Sequence, residues 1–595
     1  MDSIIGFTLL HDLHSEPAKA ALAAQRRVLS PFRHLSAKTL EIGESRLEVW
    51  GHGNLSARLH CLDDGTMLAL VGSPHGRVAR TDWPAGHGLD RLQDAQLPWD
   101  GRFVLLRISA DGRHWIMWND WAGSILVFHA RVNGARIAGT LEPVVAAATS
   151  PSVSHLNLPG LVSLLINGHT LADWTLSTRV RVIPPDSVLE WDDRGFRSTP
   201  RATIGPTEDL RDAPWNELIE RMYGLSRQAI AETFSGSSSW VVPLSAGLDS
   251  RLIAATAADL GVPVRTYAWG SGDTVDVVYS REIASTLRLP WAHVALGSDY
   301  LARYTSRWAE WFGTTLHAHG MYQMAFLDAV GGTAGGPIAT GFLGDILSAS
   351  PLFIEGDPLR GQLYGPWHTH WTLEELKTLL RAPVHEALEV VRAEIDTLAG
   401  TIPGSSFKKA MLAEIWSRQR IYTSFQSTLS DYWRGTGTPF LNRAYARFCF
   451  ALPRTALERK RLLGDVFCRY HPRVAAIPGT YGPEPLIRTG RYLLKRRLAL
   501  GLPSSLRLGP LKGFRDVPPR MDIECVQAHG WKALWPLDAA RGLLDEWLDT
   551  TQLDVAYNEA MSSTADMRPL RRLQSVQTFA WWLLQQDGLT PDHLP

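Results

Sequence analysis

The residues best suited to chemistry lie in one short stretch, Ser245–Ser250, which reads Ser-Ala-Gly-Leu-Asp-Ser. An apolar run precedes it and a helical pattern follows until Gly261, which predicts a strand, a tight loop and a helix. Small residues let a ligand approach the loop, and the unpaired N–H groups of a new helix favour a phosphate. Because Asp249 would repel that phosphate, the pattern indicates a bridging Mg²⁺.

The alternative interpretation of this stretch is an ordinary turn between a strand and a helix. It is not the Walker phosphate loop, because the chain contains no Gly-Lys-Ser or Gly-Lys-Thr sequence. A second strand, Pro337–Thr340, runs into the glycine-rich segment Gly341–Asp345. Asp345 could cap the next helix, but its position beside glycines at a strand end favours a second metal ligand.

Composition excludes several classes of protein. The 595 residues predict at least two domains, and the 60 basic residues balance the 60 acidic ones. Charge therefore offers no support for a nucleic-acid binder or a membrane-surface protein. The four cysteines form no CxxC pair, so neither a disulfide framework nor a zinc site is expected. With no secretory signal and no apolar stretch of membrane-spanning length, we expect a cytoplasmic protein.

Three regions differ in pattern along the chain. Residues 1–200 are rich in short alternating runs and predict two stacked sheets. Residues 201–214 are the expected linker. From residue 215 to 595, strands such as Val264–Trp269 alternate with helices, which predicts a parallel sheet with its ligand at the carboxyl ends of the strands. Mostly helical patterns follow from about residue 358.

Some conspicuous residues have a less specific interpretation. The pair His317 and His319 could suggest a metal, yet no third ligand is spaced nearby. The basic stretch Arg488–Arg520 is more typical of a solvated face than of a docking surface. An aromatic group is more typical of a core than of a peptide-binding shelf: Trp308, Trp311 and Phe312.

With these motifs in view, the chain resembles the asparagine synthetase family across nearly its whole length. That family starts Met-Cys-Gly-Ile-x-Gly, and here Met1–Gly6 places Asp2 where the nucleophilic cysteine stands. Asn119–Gly123 and Val182–Pro185 are similar to two further glutaminase motifs. The resemblance implies an N-terminal glutaminase-like β-sandwich of the Ntn type that lacks its nucleophile.

The second half resembles the synthetase domain at separate places. Ser245–Ser250 is similar to Ser-Gly-Gly-x-Asp-Ser with Ala246 in place of a glycine, Thr340–Asp345 to Ser-Gly-Glu-Gly-x-Asp, and Thr438–Asn442 to Val-Pro-Phe-Leu-Asp. Asp276 and Lys460 also fall at matching positions. The implied fold is an α/β adenine nucleotide α-hydrolase (PP-loop) domain with a parallel sheet and extra helices.

Two departures select among the relatives. Aspartate at position 2 cannot attack an amide as a thiolate does, so the attacking nitrogen must come from something other than glutamine. Phe342 replaces a glutamate of asparagine synthetase and a tyrosine of β-lactam synthetases. The combination resembles lasso peptide cyclases, which implies adenylation of an Asp or Glu side chain and attack by the peptide's N-terminal amine, with release of AMP and pyrophosphate. Implied partners are a precursor peptide and a leader peptidase or leader-recognition protein.

The resemblance also implies roles for individual residues. Ser245, Gly247 and Ser250, with Ala246 in the same loop, would hold the pyrophosphate of ATP, and Asp249 and Asp345 would share Mg²⁺. Lys460 would stabilise the α-phosphate or the acyl-adenylate, unless it belongs with Arg459 and Arg461 to a solvated face. The expected adenosine lining is Leu244, Trp269, Thr340 and Gly341.

Two other functions stay open at this point. One is a ligase of the β-lactam synthetase or asparagine synthetase type that acts on a small amino-acid substrate. The other is a non-catalytic scaffold that kept the fold.

Overall fold

The structure is a computed structural model. It describes residues 2–75, 97, 99–205, 210–272, 274–313, 315, 318, 320–331, 335–348, 371–402, 404–480, 484–501, 521–563 and 566–587. The histidine pair at 317 and 319 and most of the basic stretch beyond residue 501 lie outside these residues.

The first half is built on one large, mainly antiparallel sheet. Its strands, within the described residues, are β1 Ser3–His11, β2 Ser36–Ile42, β3 Ser45–His52, β4 Leu59–Cys61, β5 Met67–His75, β6 Asp100–Ile108, β7 Trp115–Asn119, β8 Phe128–Val132, β9 Ala135–Gly139, β10 Arg181–Val182, β11 Ser187–Asp192 and β12 Gly195–Pro200. The order is β10-β8-β9-β1-β5-β6-β7-β11-β12, with β3 beside β1, β2 beside β3, and β4 beside β5.

This sheet replaces the two stacked sheets that the sequence predicts. A single parallel bridge, Ile4 to Val71, joins β1 to β5, so the two groups of strands form one continuous, curled sheet. The pairing of β1 with β3 shifts register between Ile4 and Gly6, next to that bridge. Alternate side chains of these strands pack into a buried interior, for example Phe7, Val104 and Met117. Buried and exposed side chains therefore alternate along these strands as expected for a sandwich, but a single curled sheet supplies both of the layers that face the interior.

The second half contains a parallel sheet of five strands in the described part of the chain. These are β13 Trp240–Pro243, β14 Val264–Trp269, β15 Trp291–Val294, β16 Ile338–Ala339 and β17 Thr436–Gly437, in the order β15-β14-β13-β16-β17. The chain moves from β13 to β14 on one side and later to β16 on the other. The carboxyl end of β13 is therefore a topological switch point, where open α/β sheets bind ligands.

Helices surround both sheets. In the described residues they are α1 Glu16–Leu29, α2 Glu142–Ala147, α3 Leu158–Asn167, α4 Trp215–Phe234, α5 Leu248–Asp259, α6 Val275–Leu287, α7 Tyr300–Phe312, α8 Met321–Gly331, α9 Gly344–Leu347, α10 Leu373–Leu379, α11 Ala382–Thr401, α12 Ser406–Glu414, α13 Phe425–Trp433, α14 Arg443–Ala451, α15 Arg454–Leu457, α16 Arg461–Tyr470, α17 Pro472–Ala475, α18 Gly490–Leu500, α19 Met521–His529, α20 Trp535–Ala539, α21 Arg541–Leu544, α22 Thr551–Ser562 and α23 Arg568–Gln586. Short 3₁₀ helices span Leu55–Arg58, Val153–His155, Pro439–Leu441, Glu458–Lys460 and Gly530–Leu534, and a π-helix, Ile415–Thr423, joins α12 to α13.

One hydrophobic core runs through both halves. It includes Trp50 and Trp121 of the first half together with Trp240 and Trp581 of the second. Trp308 is 2% exposed and Trp311 is 5% exposed, so these aromatic residues belong to the core and not to a binding shelf. No helix in the described residues is long and apolar enough to cross a membrane.

Candidate functional site

The loop after β13 has the geometry of an anion site. Gly247 is the N-cap of α5 and contributes no side-chain bond to the first turn, so the N–H groups there have no side-chain cap. The Ser245 Oγ lies 3.0 Å from the Ser250 Oγ, and the Gly247 N–H donates to the Ser245 Oγ over 3.1 Å. These bonds orient two hydroxyls toward one another at the helix start, where a phosphate is favoured.

Ala246 is accommodated because the loop needs no left-handed residue at its position. Neither Ala246 nor Gly247 has a positive φ, so a β-carbon at position 246 causes no backbone strain. The Ala246 N–H donates to the Asp276 Oδ1 over 2.8 Å, and its carbonyl accepts from the Arg251 Nη2 over 3.0 Å. The departure from the family's glycine therefore leaves the loop intact.

Arg251 anchors the loop from below, and sequence reasoning did not identify it. The side chain is fully buried, and it also donates to the carbonyls of Val474, Ile477 and Pro478 over 2.8–3.1 Å. The available signal was a cationic residue next to the apolar residues Leu252 and Ile253 of α5. By joining the loop to α17 and the residues that follow it, Arg251 fixes the start of α5.

Lys460 and Asp249 form an ion pair at the centre of the site. The Lys460 Nζ lies 2.9 Å from the Asp249 Oδ2 and 3.2 Å from its Oδ1. Lys460 is 7% exposed, which removes the interpretation of a solvated basic face. Arg459 and Lys460 both have left-handed backbones, at φ 53° and 56°. Two successive residues keep such a strained backbone only where surrounding contacts stabilise it. This backbone conformation places the Lys460 ammonium group beside Asp249.

The segment Gly341–Asp345 lies against the same aspartate. A β-carbon on Gly344 would be 2.9 Å from both the Cβ and the Cγ of Asp249, so only glycine allows this approach. Leu343, which replaces a glycine of the family motif, has a left-handed φ of 68° and is fully buried. Asp345 lies inside the short helix α9 and is not its N-cap, since Leu343 occupies that position.

The electrostatics of Asp345 fit a cation ligand. Burial raises the pKa of its carboxyl, the neighbouring Asp249 charge raises it further, and Lys460 and Arg418 act in the opposite direction. A divalent cation between two neighbouring carboxylates would cancel the electrostatic repulsion between them. Among the described residues, no group of three or more His, Cys, Asp and Glu side chains could hold a metal. Two carboxylates suit Mg²⁺, which takes its other ligands from phosphates and water.

A cavity of about 330 Å³ opens beside the loop, at the carboxyl ends of β13 and β14. Three predicted residues line it, namely Leu244, Ser245 and Trp269. The Trp269 ring stands 4.5 Å from the Phe326 ring and 6.1 Å from the Tyr322 ring, measured between centroids. This wall offers an aromatic face for a flat heterocycle.

Thr340 and Gly341, predicted to line the adenosine, lie beside the Asp249 and Asp345 segment. The Thr340 N–H donates to the Gly437 carbonyl, and its Oγ1 lies 3.1 Å from the Ser427 Oγ, so its polar atoms face the sheet and α13. Gly341 lies next to Asp249, where an added β-carbon would be 3.6 Å from the Asp249 Cβ. These two residues position the Asp345 segment, and the lining described for the cavity does not include them.

The far wall of the cavity comes from residues that no motif identified. Besides Tyr322, it contains Met521 and Asp522 of α19 and Met567 and Arg571 near the start of α23. Asp522 is buried, accepts from the Tyr300 hydroxyl and lies 3.3 Å from the Arg571 Nη1. Asp276 lines the near side, and burial raises its pKa although the Ala246 N–H lowers it. More than 200 residues separate Asp276 from the part of the far wall that α19 and the start of α23 supply, so no local signal could have linked them.

Comparisons with curated proteins and with solved structures leave the function of this site open. No curated protein matches the chain. A solved structure of glutamine phosphoribosylpyrophosphate amidotransferase from B. subtilis complexed with ADP and GMP is similar at 11% identity and a TM-score of 0.24, covering 49% of this chain and 80% of that one. A structure described as the allosteric regulatory enzyme of purine biosynthesis has 10% identity, a TM-score of 0.23 and the same coverages. TM-scores this low support no inference.

The family comparison is more specific. Residues 224–400 match the family model described as asparagine synthase, a range that contains β13, the loop, α5 and the Gly341–Asp345 segment. The match supports an asparagine synthetase-like domain in this chain and, in general terms, an ATP-dependent amide-forming ligase activity.

Proposed function

We propose that the protein is an ATP-dependent lasso peptide cyclase. In this proposal it adenylates an Asp or Glu side chain of a precursor peptide, and the peptide's own N-terminal amine then closes an isopeptide-bonded ring. AMP and pyrophosphate leave. The observation that carries the adenylating step is the contact of the Lys460–Asp249 ion pair with the Gly341–Asp345 segment at the uncapped start of α5.

Each residue of the site has a task in this reaction. The start of α5, with Ser245 and Ser250, binds the pyrophosphate that leaves. Asp249 and Asp345 would hold Mg²⁺, which would neutralise charge on the phosphates. Lys460, whose ammonium group lies beside Asp249, would stabilise negative charge on the α-phosphate. The cavity beside Trp269 takes the adenine ring.

The cyclase proposal depends on Asp2 and Phe342. With aspartate at position 2, the chain has no thiol nucleophile there to release ammonia from glutamine. Phe342 is 5% exposed and offers no acid or base at the position where relatives have one. An α-amine has a reference pKa of about 7.7–8.0, so part of it is already neutral near pH 7 and needs little help. An N-terminal amine held beside the activated carboxyl suits such a site.

The decisive experiment combines two assays on the full chain. ATP–pyrophosphate exchange reports adenylation, and mass spectrometry of a leader-free candidate peptide reports loss of one water on ring closure. We expect both with the native peptide, and neither when its acceptor Asp or Glu is replaced by Asn or Gln. Asp249→Asn should reduce both by about 100-fold or more, since it removes a group that positions charge in the transition state.

Asp259→Asn is the matched control, because Asp259 lies at the other end of α5 and its side chain is 43% exposed. Turnover of a small amino-acid derivative without peptide cyclisation would instead identify a small-molecule amide ligase. Absence of exchange with every substrate would identify a scaffold. Unchanged cyclisation by Asp249→Asn would contradict the proposed mechanism.

A further inference from the structure

Three backbone N–H groups of the loop after β13 already donate within the protein. The Ser245 N–H donates to the Ser250 Oγ over 3.1 Å, and the Gly247 N–H donates to the Ser245 Oγ over 3.1 Å. The Ala246 N–H donates to the Asp276 Oδ1 over 2.8 Å. A phosphate at this loop therefore takes its hydrogen bonds from the first turn of α5, which has no side-chain cap, and from hydroxyl groups nearby.

The space beside Gly247 is open, although its backbone does not require a glycine. Its φ of −71° is allowed for any residue. A β-carbon added there would lie 3.2 Å from the Ser245 Oγ and 3.7 Å from the Thr480 Oγ1, which are the nearest side-chain atoms in the described chain apart from those of adjoining residues. An open position of this kind at a helix start lets a phosphate approach the backbone closely.

Thr480 reaches this space from outside the loop. Its side chain is exposed, and its N–H donates to the Ala246 carbonyl over 3.4 Å. The Arg251 guanidinium donates to the same carbonyl and to those of Ile477 and Pro478, over 2.8–3.0 Å. Because these bonds tie the segment that ends at Thr480 to the loop, the Thr480 hydroxyl is held at the edge of the open space.

We infer that the Thr480 hydroxyl donates a hydrogen bond to the pyrophosphate group of ATP bound beside Gly247. The Ser245 and Thr480 hydroxyls border the same position from opposite segments of the chain, and the exposed Thr480 side chain is accessible to a ligand. A hydroxyl group rotates to suit its acceptor, and a hydrogen bond to a charged oxygen is roughly twice as strong as one between neutral groups. The inference rests on the proposed ATP-dependent function and adds a binding residue that the Ser245–Ser250 motif does not contain.

Calorimetric titration of the full chain with ATP in the presence of Mg²⁺ tests this inference without any need for turnover. Thr480→Val keeps the shape of the side chain and removes the hydroxyl, so the affinity for ATP should fall by about tenfold or more. Thr480→Ser keeps the hydroxyl, and its affinity should stay close to that of wild type. Thermal melts without nucleotide should give the same midpoint for all three proteins, because the exposed hydroxyl acts on the ligand.

Gly247→Ala tests the open space independently of Thr480. The added methyl group should lower the affinity for ATP by about tenfold or more, since it occupies the position that the phosphate takes. The φ of Gly247 suits alanine, so the variant should still fold, and a melt without nucleotide checks this.

Thr397→Val is the matched control for the loss of a threonine hydroxyl. Thr397 is exposed on α11, where its hydroxyl donates to the Ala393 carbonyl, and the variant should bind ATP as wild type does. Equal affinities for wild type and Thr480→Val would overturn the inference and leave the ATP site itself intact. A loss that Thr480→Ser does not restore, or an unchanged affinity in Gly247→Ala, would also overturn it. Absence of ATP binding by wild type would contradict the proposed function as well.

Discussion

Asp345 is held in an environment that opposes its own ionisation. Burial and the nearby Asp249 raise the pKa of its carboxyl in the folded chain. In the unfolded chain the pKa returns to its ordinary value, about 3.9. The folded chain therefore keeps this proton to a higher pH than the unfolded chain does. It follows that the ionised carboxyl destabilises the fold at neutral pH, and that this penalty disappears as the pH falls through the raised pKa.

Asp345→Asn should accordingly separate stability from activity. We expect the thermal midpoint of the protein without nucleotide to rise by about 1–2 °C near pH 7.5, while pyrophosphate exchange is lost. The gain in stability should shrink as the pH is lowered from about 8 toward about 5, because the wild-type carboxyl takes up its proton. Calorimetric or fluorescence melts across that range would measure it.

Asp63→Asn is the appropriate comparison, since Asp63 lies exposed in a turn of the first half. It should alter neither the melting temperature nor its pH dependence. If the Asp345→Asn protein is less stable than wild type at pH 7.5, the ionised Asp345 carboxyl does not destabilise the fold and the prediction is wrong.

At the scale of elements, local patterns predicted what depends on local sequence. The sequence predicts β14 at Val264–Trp269, where it is found. The strand, loop and helix pattern indicates the loop at Ser245–Ser250, whereas Lys460 is identified only through the family resemblance. The curl of the first sheet was not predicted, because it depends on one bridge between Ile4 and Val71. The sequence does not predict the far wall of the cavity beside Trp269 for the same reason, since contacts between distant segments leave no periodicity to detect.

The Gly341–Asp345 segment depends on the absence of a side chain at Gly344. Gly344→Ala would place a β-carbon 2.9 Å from Asp249 and 2.9 Å from the Phe440 ring, closer than van der Waals contact allows. Asp249 or the segment must shift, so exchange activity should fall by about 100-fold for a displacement near 1 Å. The overpacking should cost about 1–3 kcal/mol of unfolding free energy. Exchange kinetics and urea denaturation measure the two effects.

Gly224→Ala provides the reference substitution within a helix. Gly224 lies in α4, and an added β-carbon there meets nothing within 4 Å. That variant should gain about 0.5–1 kcal/mol from reduced backbone entropy in the unfolded chain, with full activity. Wild-type exchange by Gly344→Ala would show that Asp249 does not need its observed position.

For the whole molecule, buried hydrogen bonds and a buried ion pair join the two halves. The Trp50 Nε1 donates to the Tyr432 hydroxyl over 3.1 Å, and the Trp121 Nε1 donates to the Leu441 carbonyl over 2.9 Å. Arg102 of the first sheet and Asp431 at the end of α13 form an ion pair in which both side chains are at least 97% buried. Asp431 also precedes β17, the strand whose Gly437 holds Thr340. The first half therefore supports the half that contains the candidate site.

This arrangement predicts that the halves unfold together. Asp431→Asn would leave the Arg102 charge buried without its partner, and we expect a loss of about 3–5 kcal/mol in unfolding free energy. Urea denaturation followed by tryptophan fluorescence and by far-UV circular dichroism should show one transition in wild type, shifted equally for both probes in the variant. The double variant Arg102→Met with Asp431→Leu should recover most of the loss, because it removes both charges at once. Two separate transitions, with only one of them shifted, would mean that the halves are independent and that the first sheet does not stabilise the site.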